Sequence, residues 1–201
     1  MLKRIIIFMV GGFFLISAVS AWGMDAALLS VIQSLTEEKI VVWAKDPVIV
    51  NTVKEANKKA MLSQEEIDRA DKKWQTAEEI DHWIDSFLNN ECAMHLKKLQ
   101  NKKRGKRTLY PEIFVMDHQG LIVAESDKTL DYWHGDENRF IKSFAQGKGS
   151  IFVDEPDFDL CTQSFSIQVS APILDPDTGR AIGVMTVGIG LDALTEYMLD
   201  L

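Results

Sequence analysis

Apolar residues recur every three to four positions through the first half of the chain and every second position through much of the second half. That change of period divides it. From Met24 to about Gln100 the spacing predicts helices, through Leu28, Leu29, Ile32, Leu35, Ile40, Val41 and Trp43. Asp46-Pro47 reads as an N-cap followed by proline at a first helical position, so it restarts or kinks this helix. Ser63 to Glu66 has capping-box spacing, with Ser63 able to accept an amide proton and Glu66 able to reach back. Thr76 to Glu79 repeats the signal. The helix it predicts carries Ile80, Trp83, Ile84, Phe87, Leu88, Leu96 and Leu99 on its apolar side. Lys97 to Arg107 is basic and reads as a solvated helix end and loop.

From Tyr110 the alternation is that of strands. Ile113 to Met116 and Leu121 to Ala124 flank the turn Asp117 to Gly120 and predict a hairpin. Asp127 to Gln146 reads as a loop and short helix. Ser150 to Val153, Gln163 to Ile173 and Ala181 to Ile189 are the remaining predicted strands, and Leu191 to Leu199 a closing helix. Helices first, then strands with a helical insertion, is an α+β order. The expected architecture is a five-stranded antiparallel sheet with a long N-terminal helix packed along it. One domain would span residues 26–200, helical over 26–107 and sheet over 108–200.

The first residues change the picture. Lys3 and Arg4 precede an apolar run from Ile5 to Val19, and Val19-Ser20-Ala21 supplies the small residues of a cleavage site. This predicts a signal peptide over residues 1–21, removed after Ala21. The stretch from Ile5 to Met24 is also long enough for a retained anchor. Either reading places the rest outside the cytoplasm. An oxidising compartment permits a disulfide between Cys92 and Cys161, and two separate buried thiols fit equally. The 201 residues are 46% hydrophobic with five Trp, enough for a core, and the net charge of −8 argues against nucleic acid and anionic lipid as partners.

The second half resembles a single Cache domain, the extracytoplasmic relative of PAS domains. The matching pieces are Glu112 to Asp117 (EIFVMD), Gly120 to Ala124 (GLIVA), Asp131 to Glu137 (DYWHGDE) and Gly149 to Asp154 (GSIFVD). They continue through Gln168 to Pro172 (QVSAP), Gly179, and Ile182 to Val187 (IGVMTV). The resemblance covers roughly residues 26 to 200. It implies a ligand-binding sensor and not an enzyme, with a small ligand held between the sheet and the inserted loop. It also implies a separate membrane-bound receptor, kinase or cyclase as the listener. A homodimer is compatible with it. A degenerate lobe with a filled pocket, serving only structure or dimerisation, is the alternative.

The residues offer a site of their own. Phe165, Ile167 and Val169 alternate with Ser164, Ser166, Gln168 and Ser170, so the two sets lie on opposite faces. The apolar set can pack on helices. The polar set needs water, partners or a ligand. Tyr132 and Trp133, in the insertion, suit a lid, with one packed inward and the other facing the pocket. Asp136, Glu137, Asp154, Glu155, Asp157 and Asp159 favour a cationic partner, an amine or an amino-acid ammonium; the alternative is a solvated acidic loop, which is the preferred reading for Glu155 and Asp157. Arg139 could hold a carboxylate or simply pair with Asp136 or Glu137. Phe152 and Asp154 on the third strand, with Ser166 and Gln168, complete the expected ligand site.

Cofactor and metal chemistry find no motif. Cys-x-x-Cys-His is absent, so covalent haem is unsupported, and no cofactor is expected. Asp175 to Gly179 lacks the later ligands of a calcium loop and reads as a turn. Glu91 with His95, and Asp81 with Asp85, are helix-surface pairs without a closed ligand set. Walker, nucleophile-elbow, dinucleotide and His-Glu-x-x-His signatures are all absent.

Overall fold

A computed structural model describes residues 26–101, 108–159 and 164–199. The leader, most of the basic run after Gln100, and Cys161 fall outside the described residues. Cys92 is buried and forms no disulfide among the described residues, and its pairing with Cys161 lies outside them.

Helix α1 (Ala26–Leu35) passes through a π-helical stretch, Thr36–Ile40, into α2 (Val41–Trp43). The buried Thr36 hydroxyl donates to the Ile32 carbonyl at 2.7 Å. At Asp46 the backbone turns extended, and the carboxylate accepts from the Val48 amide at 2.8 Å. Pro47 then opens α3 (Pro47–Ala56), so the restart predicted at Asp46-Pro47 is what forms. The Ser63–Glu66 capping box also forms and opens α4 (Gln64–Gln75).

The second capping-box expectation is corrected. Thr76 ends α4 as its C-cap and opens nothing. Asp81 instead accepts from the Ile84 amide and opens α5 (His82–Leu88), and Asn90 accepts from the Ala93 amide and opens α6 (Glu91–Gln100). Two strong N-caps within one apolar-periodic run divide it into two helices. Asn90 also donates to the Val123 carbonyl at 2.9 Å, which ties that break to the sheet.

The strands are β1 (Ile113–Met116), β2 (Ile122–Glu125), β3 (Phe152–Val153), β4 (Asp157–Asp159), β5 (Ser164–Leu174) and β6 (Ala181–Gly190). All pairings are antiparallel, in the order β2-β1-β6-β5-β3, with β4 also on β5. The five expected strands are present, and the short acidic β4 is added to them. Helix α7 (Asn138–Phe144) lies between β2 and β3, and α8 (Leu191–Leu199) follows β6. The result is the anticipated α+β, PAS-like order. Asp175 to Gly179 is the β5–β6 turn, with Gly179 at φ +70°. Its carboxylates hold Lys54 of α3, Asp175 and Asp177 each at 3.1 Å.

The sheet is covered on both faces. Ile113, Val115, Ile167, Val169, Met185, Val187 and Ile189 form one core with α1, α3 and α6. Phe114, Met116, Ile122 and Val184 form the other with Trp74 of α4, Ile84 of α5, Tyr132 and Phe140. Trp74 is fully buried and anchors the second core, with the rings of Trp83, Phe87 and Tyr132 within 5.8 Å of its own. Its indole N–H donates to the Thr129 carbonyl at 2.9 Å. One expected core residue lies elsewhere. Phe165 is 58% exposed near the start of β5 and meets its cross-strand partner Phe158 edge to face.

Replacing Trp74 with Ala removes both the ring cluster and the anchor for the Thr129 loop. Urea unfolding is expected to show a loss of about 3–5 kcal/mol.

Candidate functional site

The second face changes character along its length. On β6 the residues pointing to it are Val184, Thr186, Gly188 and Gly190, in order of shrinking side chain. Opposite them on β5 lie Pro172, Ser170, Gln168 and Ser166. At the Val184 end the face is closed by α4, α5 and α7. Ser170 is satisfied there, its hydroxyl 2.8 Å from that of Thr186 and its carbonyl accepting from Ser143 of α7 at 3.1 Å. At the other end a cavity of about 530 Å³ opens. Its walls come from Glu112 and Phe114 of β1, the loop Thr129–Asp131, His134, Glu137, Arg139, the segment Asp154–Phe158, and Ser166 and Gln168 of β5.

A polar chain crosses this cavity. The Gln168 amide N–H donates to Glu112 Oε1, and its carbonyl accepts from Arg139 Nη1. Arg139 Nε pairs with Glu137 Oε2. Glu137 Oε1 lies 2.8 Å from His134 Nδ1. Gly188 makes the first link possible. A Cβ there would lie 2.9 Å from Glu112 Cγ, so only glycine lets the Glu112 side chain lie across β6 towards Gln168. Burial pushes the Glu137 carboxyl up, but the His134 hydrogen bond and the electrostatic pull of His134 and Arg139 outweigh it, and the net shift is downward.

Glu125 is fully buried on the same face, directly opposite Phe114 in the β1–β2 pair. Its Oε2 accepts from the Thr129 amide and hydroxyl at 3.1 and 2.9 Å, and its Oε1 has no partner among the described residues. Burial pushes this carboxyl up to about 7, against the Thr129 hydrogen bonds and the Lys128 charge.

Of the residues the sequence singled out, Arg139, Asp154, Ser166 and Gln168 are brought together on this cavity. Arg139 is paired with Glu137, one of the two partners weighed for it. The others go elsewhere. Asp136 is exposed and is not part of the lining. Phe152 is buried opposite Ser170, with Lys142 Nζ 4.5 Å above its ring. Tyr132 packs inward against Trp74, Trp83 and Phe87. Trp133 donates from its indole to the Gln119 carbonyl at 2.9 Å and lines neither this cavity nor its mouth. The lid expectation holds for the ring that packs inward, Tyr132, which three aromatic side chains of α4 and α5 receive, and is corrected for Trp133, which does not face this cavity. Asp71 of α4 fixes the doublet by accepting from both backbone amides, at 2.7 and 3.1 Å. Tyr132 instead borders a second hollow, about 920 Å³, between α3, α5 and the β1–β2 turn.

Sequence reasoning did not single out Glu112 or His134 as ligand-site residues, and took Glu137 only as one of a run of acids. The available signal was a charged residue opening an apolar strand whose cross-strand neighbours are glycines.

No protein-family model matches the chain, and no curated protein matches it. Solved structures do. The sensor domain of the V. cholerae histidine kinase DctB is 14% identical, with a TM-score of 0.43 over 85% of this chain and 54% of that one. The ligand-binding domain of the Pseudomonas aeruginosa amino-acid chemoreceptor PctC, in complex with GABA, is also 14% identical, with a TM-score of 0.41 over 87% of this chain and 62% of that one. A Campylobacter jejuni chemoreceptor domain in complex with 4-methylisoleucine is 15% identical, with a TM-score of 0.40 over 86% of this chain and 63% of that one. The chain spans between about half and two thirds of the length of these sensor domains. Among the described residues, no helix is long and apolar enough to cross a membrane.

Two outcomes follow from the buried groups. A carboxyl raised in the folded state stabilises the fold fully below its unfolded value near 4.5, and that contribution is lost as pH rises through about 7. Asp117, also raised by burial, acts in the same direction, whereas the lowered Glu137, Asp81 and Asp175 act only in more acidic solution. Stability should fall by roughly 3 kcal/mol between pH 4.5 and 8 on account of Glu125. Glu125→Gln should flatten most of that slope in denaturant titrations at several pH values; an unchanged slope would show that Glu125 is not its source. Separately, Gly188→Ala should displace Glu112 from Gln168 while leaving the melting temperature within a few degrees. Loss of the Gln168 side-chain amide shift perturbation in NMR checks it.

Proposed function

We propose that the chain is a Cache-type extracytoplasmic lobe that binds a small amine or amino-acid-like ligand in the cavity beside Gln168. The observation that carries this reading is the charge of the lining. Glu112, Asp131, Glu137, Asp154, Glu155 and Asp157 face the cavity, with Arg139 the one cationic side chain among its described lining residues. Carboxylates crowded around a partly enclosed space favour a cation. Arg139 is anchored by Glu137 and Gln168 through two of its five N–H groups. The rest remain to receive a ligand carboxylate, so an amino acid fits with its ammonium towards the acids and its carboxylate at Arg139.

The degenerate-lobe alternative requires aromatic rings to fill the pocket. The Tyr132 and Trp133 rings are engaged elsewhere, which favours the binding reading. Output would pass to a separate membrane-bound receptor, kinase or cyclase, the ligand acting by shifting the population of two states of the lobe.

A thermal-shift screen of amines, amino acids and simple carboxylates tests this. Amines or amino acids should raise the melting temperature most, with about 2.7 kcal/mol of stabilisation at a hundredfold excess over Kd. Gln168→Ala, which unlinks Arg139 from Glu112, should weaken the best hit at least tenfold without lowering the melting temperature of the free protein by more than a few degrees. A screen in which only carboxylates stabilise would reverse the assigned charge preference.

A further inference from the structure

The wall of the cavity includes a buried ring nitrogen with no hydrogen-bond partner among the described residues. His134 is 3% exposed and stacks on Phe114, the ring centroids 4.9 Å apart and the planes at 26°. It belongs to the cavity wall. Its Nδ1 is occupied by Glu137 at 2.8 Å, whereas its Nε2 is buried and meets no hydrogen-bonding group among the described residues. Most buried polar atoms are paired, so an orphan in a cavity wall calls for a ligand or water.

The neighbouring carboxylate decides which kind of ligand. Glu137 is held in its ionised form by His134 and Arg139, and an ionised carboxylate only accepts hydrogen bonds. The ring hydrogen of a neutral His134 therefore sits on Nδ1, pointing at Glu137. That leaves a lone pair on Nε2. Glu137 is in turn fixed by Arg139, and Arg139 by Gln168, so the orientation of the imidazole is set from β5.

We infer that His134 Nε2 is the acceptor that receives an N–H of the bound ligand, so that the cavity selects amines that keep N–H donors over their fully N-methylated counterparts. This rests on the amine reading above and adds a specificity determinant to it. The acids of the lining attract any cation. His134 distinguishes among cations, because a quaternary ammonium offers charge but nothing to donate. Glu137 acts through His134 as a positioning residue.

The test uses matched probes on the full chain by isothermal titration: ethanolamine against choline, and glycine against N,N,N-trimethylglycine. The native protein should bind the N–H member at least about tenfold more tightly, the size of one hydrogen bond to a charged group. His134→Phe keeps the stack on Phe114 and removes the acceptor, and should reduce the preference to about twofold or less. Nitrogen NMR of the native protein gives a readout independent of any variant: the ring proton should sit on Nδ1, and the Nε2 resonance should move when the N–H member is added. Equal binding of both members, an undiminished preference in His134→Phe, or a proton resident on Nε2 would overturn the assignment to His134 while leaving the amine reading standing. Absence of binding by every probe overturns the amine reading, and this inference with it.

Discussion

Strand β6 is buried on both faces between β1 and β5, and the chain cannot place large side chains on both of its sides everywhere. Towards α1 and α3 it presents Met185, Val187 and Ile189, which fill one core. Towards the inserted loop it presents Val184, Thr186, Gly188 and Gly190. The first two are bulky enough to support α7 and the aromatic cluster. The last two contribute no side chain, so apolar packing ends at Thr186. Everything at the polar end of the sheet depends on that change. Glu112 can cross β6 because Gly188 has no Cβ, and Gln168 can then face Glu112 instead of a hydrocarbon.

From there one connected set of hydrogen bonds reaches the insertion. Gln168 holds Arg139, Arg139 holds Glu137, and Glu137 orients His134. Each buried charge has a partner of opposite sign or a strong donor, which a low-dielectric site requires. The insertion is pinned at its other side by hydrogen bonds and close packing: Trp74 donates to Thr129, Asp71 gathers the Tyr132 and Trp133 amides, and Gly120 lets Gly135 approach the β1–β2 turn. The loop is thus attached to the helices by packing and backbone hydrogen bonds and to the sheet by the Gln168–Arg139–Glu137 chain, and the cavity lies between the two attachments.

Much of this architecture is legible in the sequence, because it is encoded locally. Ser63 with Glu66, and Asp46 with Pro47, are complete signals within a few residues. The period-two runs of β1, β5 and β6 are equally self-contained. The Thr76 signal is as good on paper as Ser63, yet Asp81 prevails, because the apolar positions that meet Trp74 and the sheet follow Asp81. Strand β4 has too few residues and too many charges to announce itself; it exists because β5 is long enough to offer it an edge. At the site, Gln168 and Ser166 are legible from alternation, Arg139 from proximity to the aromatic doublet, and Asp154 from its strand. His134 and Glu112 are not, since their meaning comes from cross-strand register and from a stack on Phe114. Tyr132 misleads for the same reason: the rings that claim it lie about fifty residues away in α4 and α5.

The C-terminal helix begins where the sheet stops. Gly190 ends β6 and Leu191 begins α8, with no linking residue, and Leu194 is fully buried against the first core. The helix continues directly from the strand, beside Glu112, and is held a second time by Leu194 in the first core. A rearrangement of Glu112 and Gln168 at Gly188 would therefore act next to the first turn of a helix about 13 Å long. The polar chain of the cavity and the first turn of this helix thereby share one short stretch of strand.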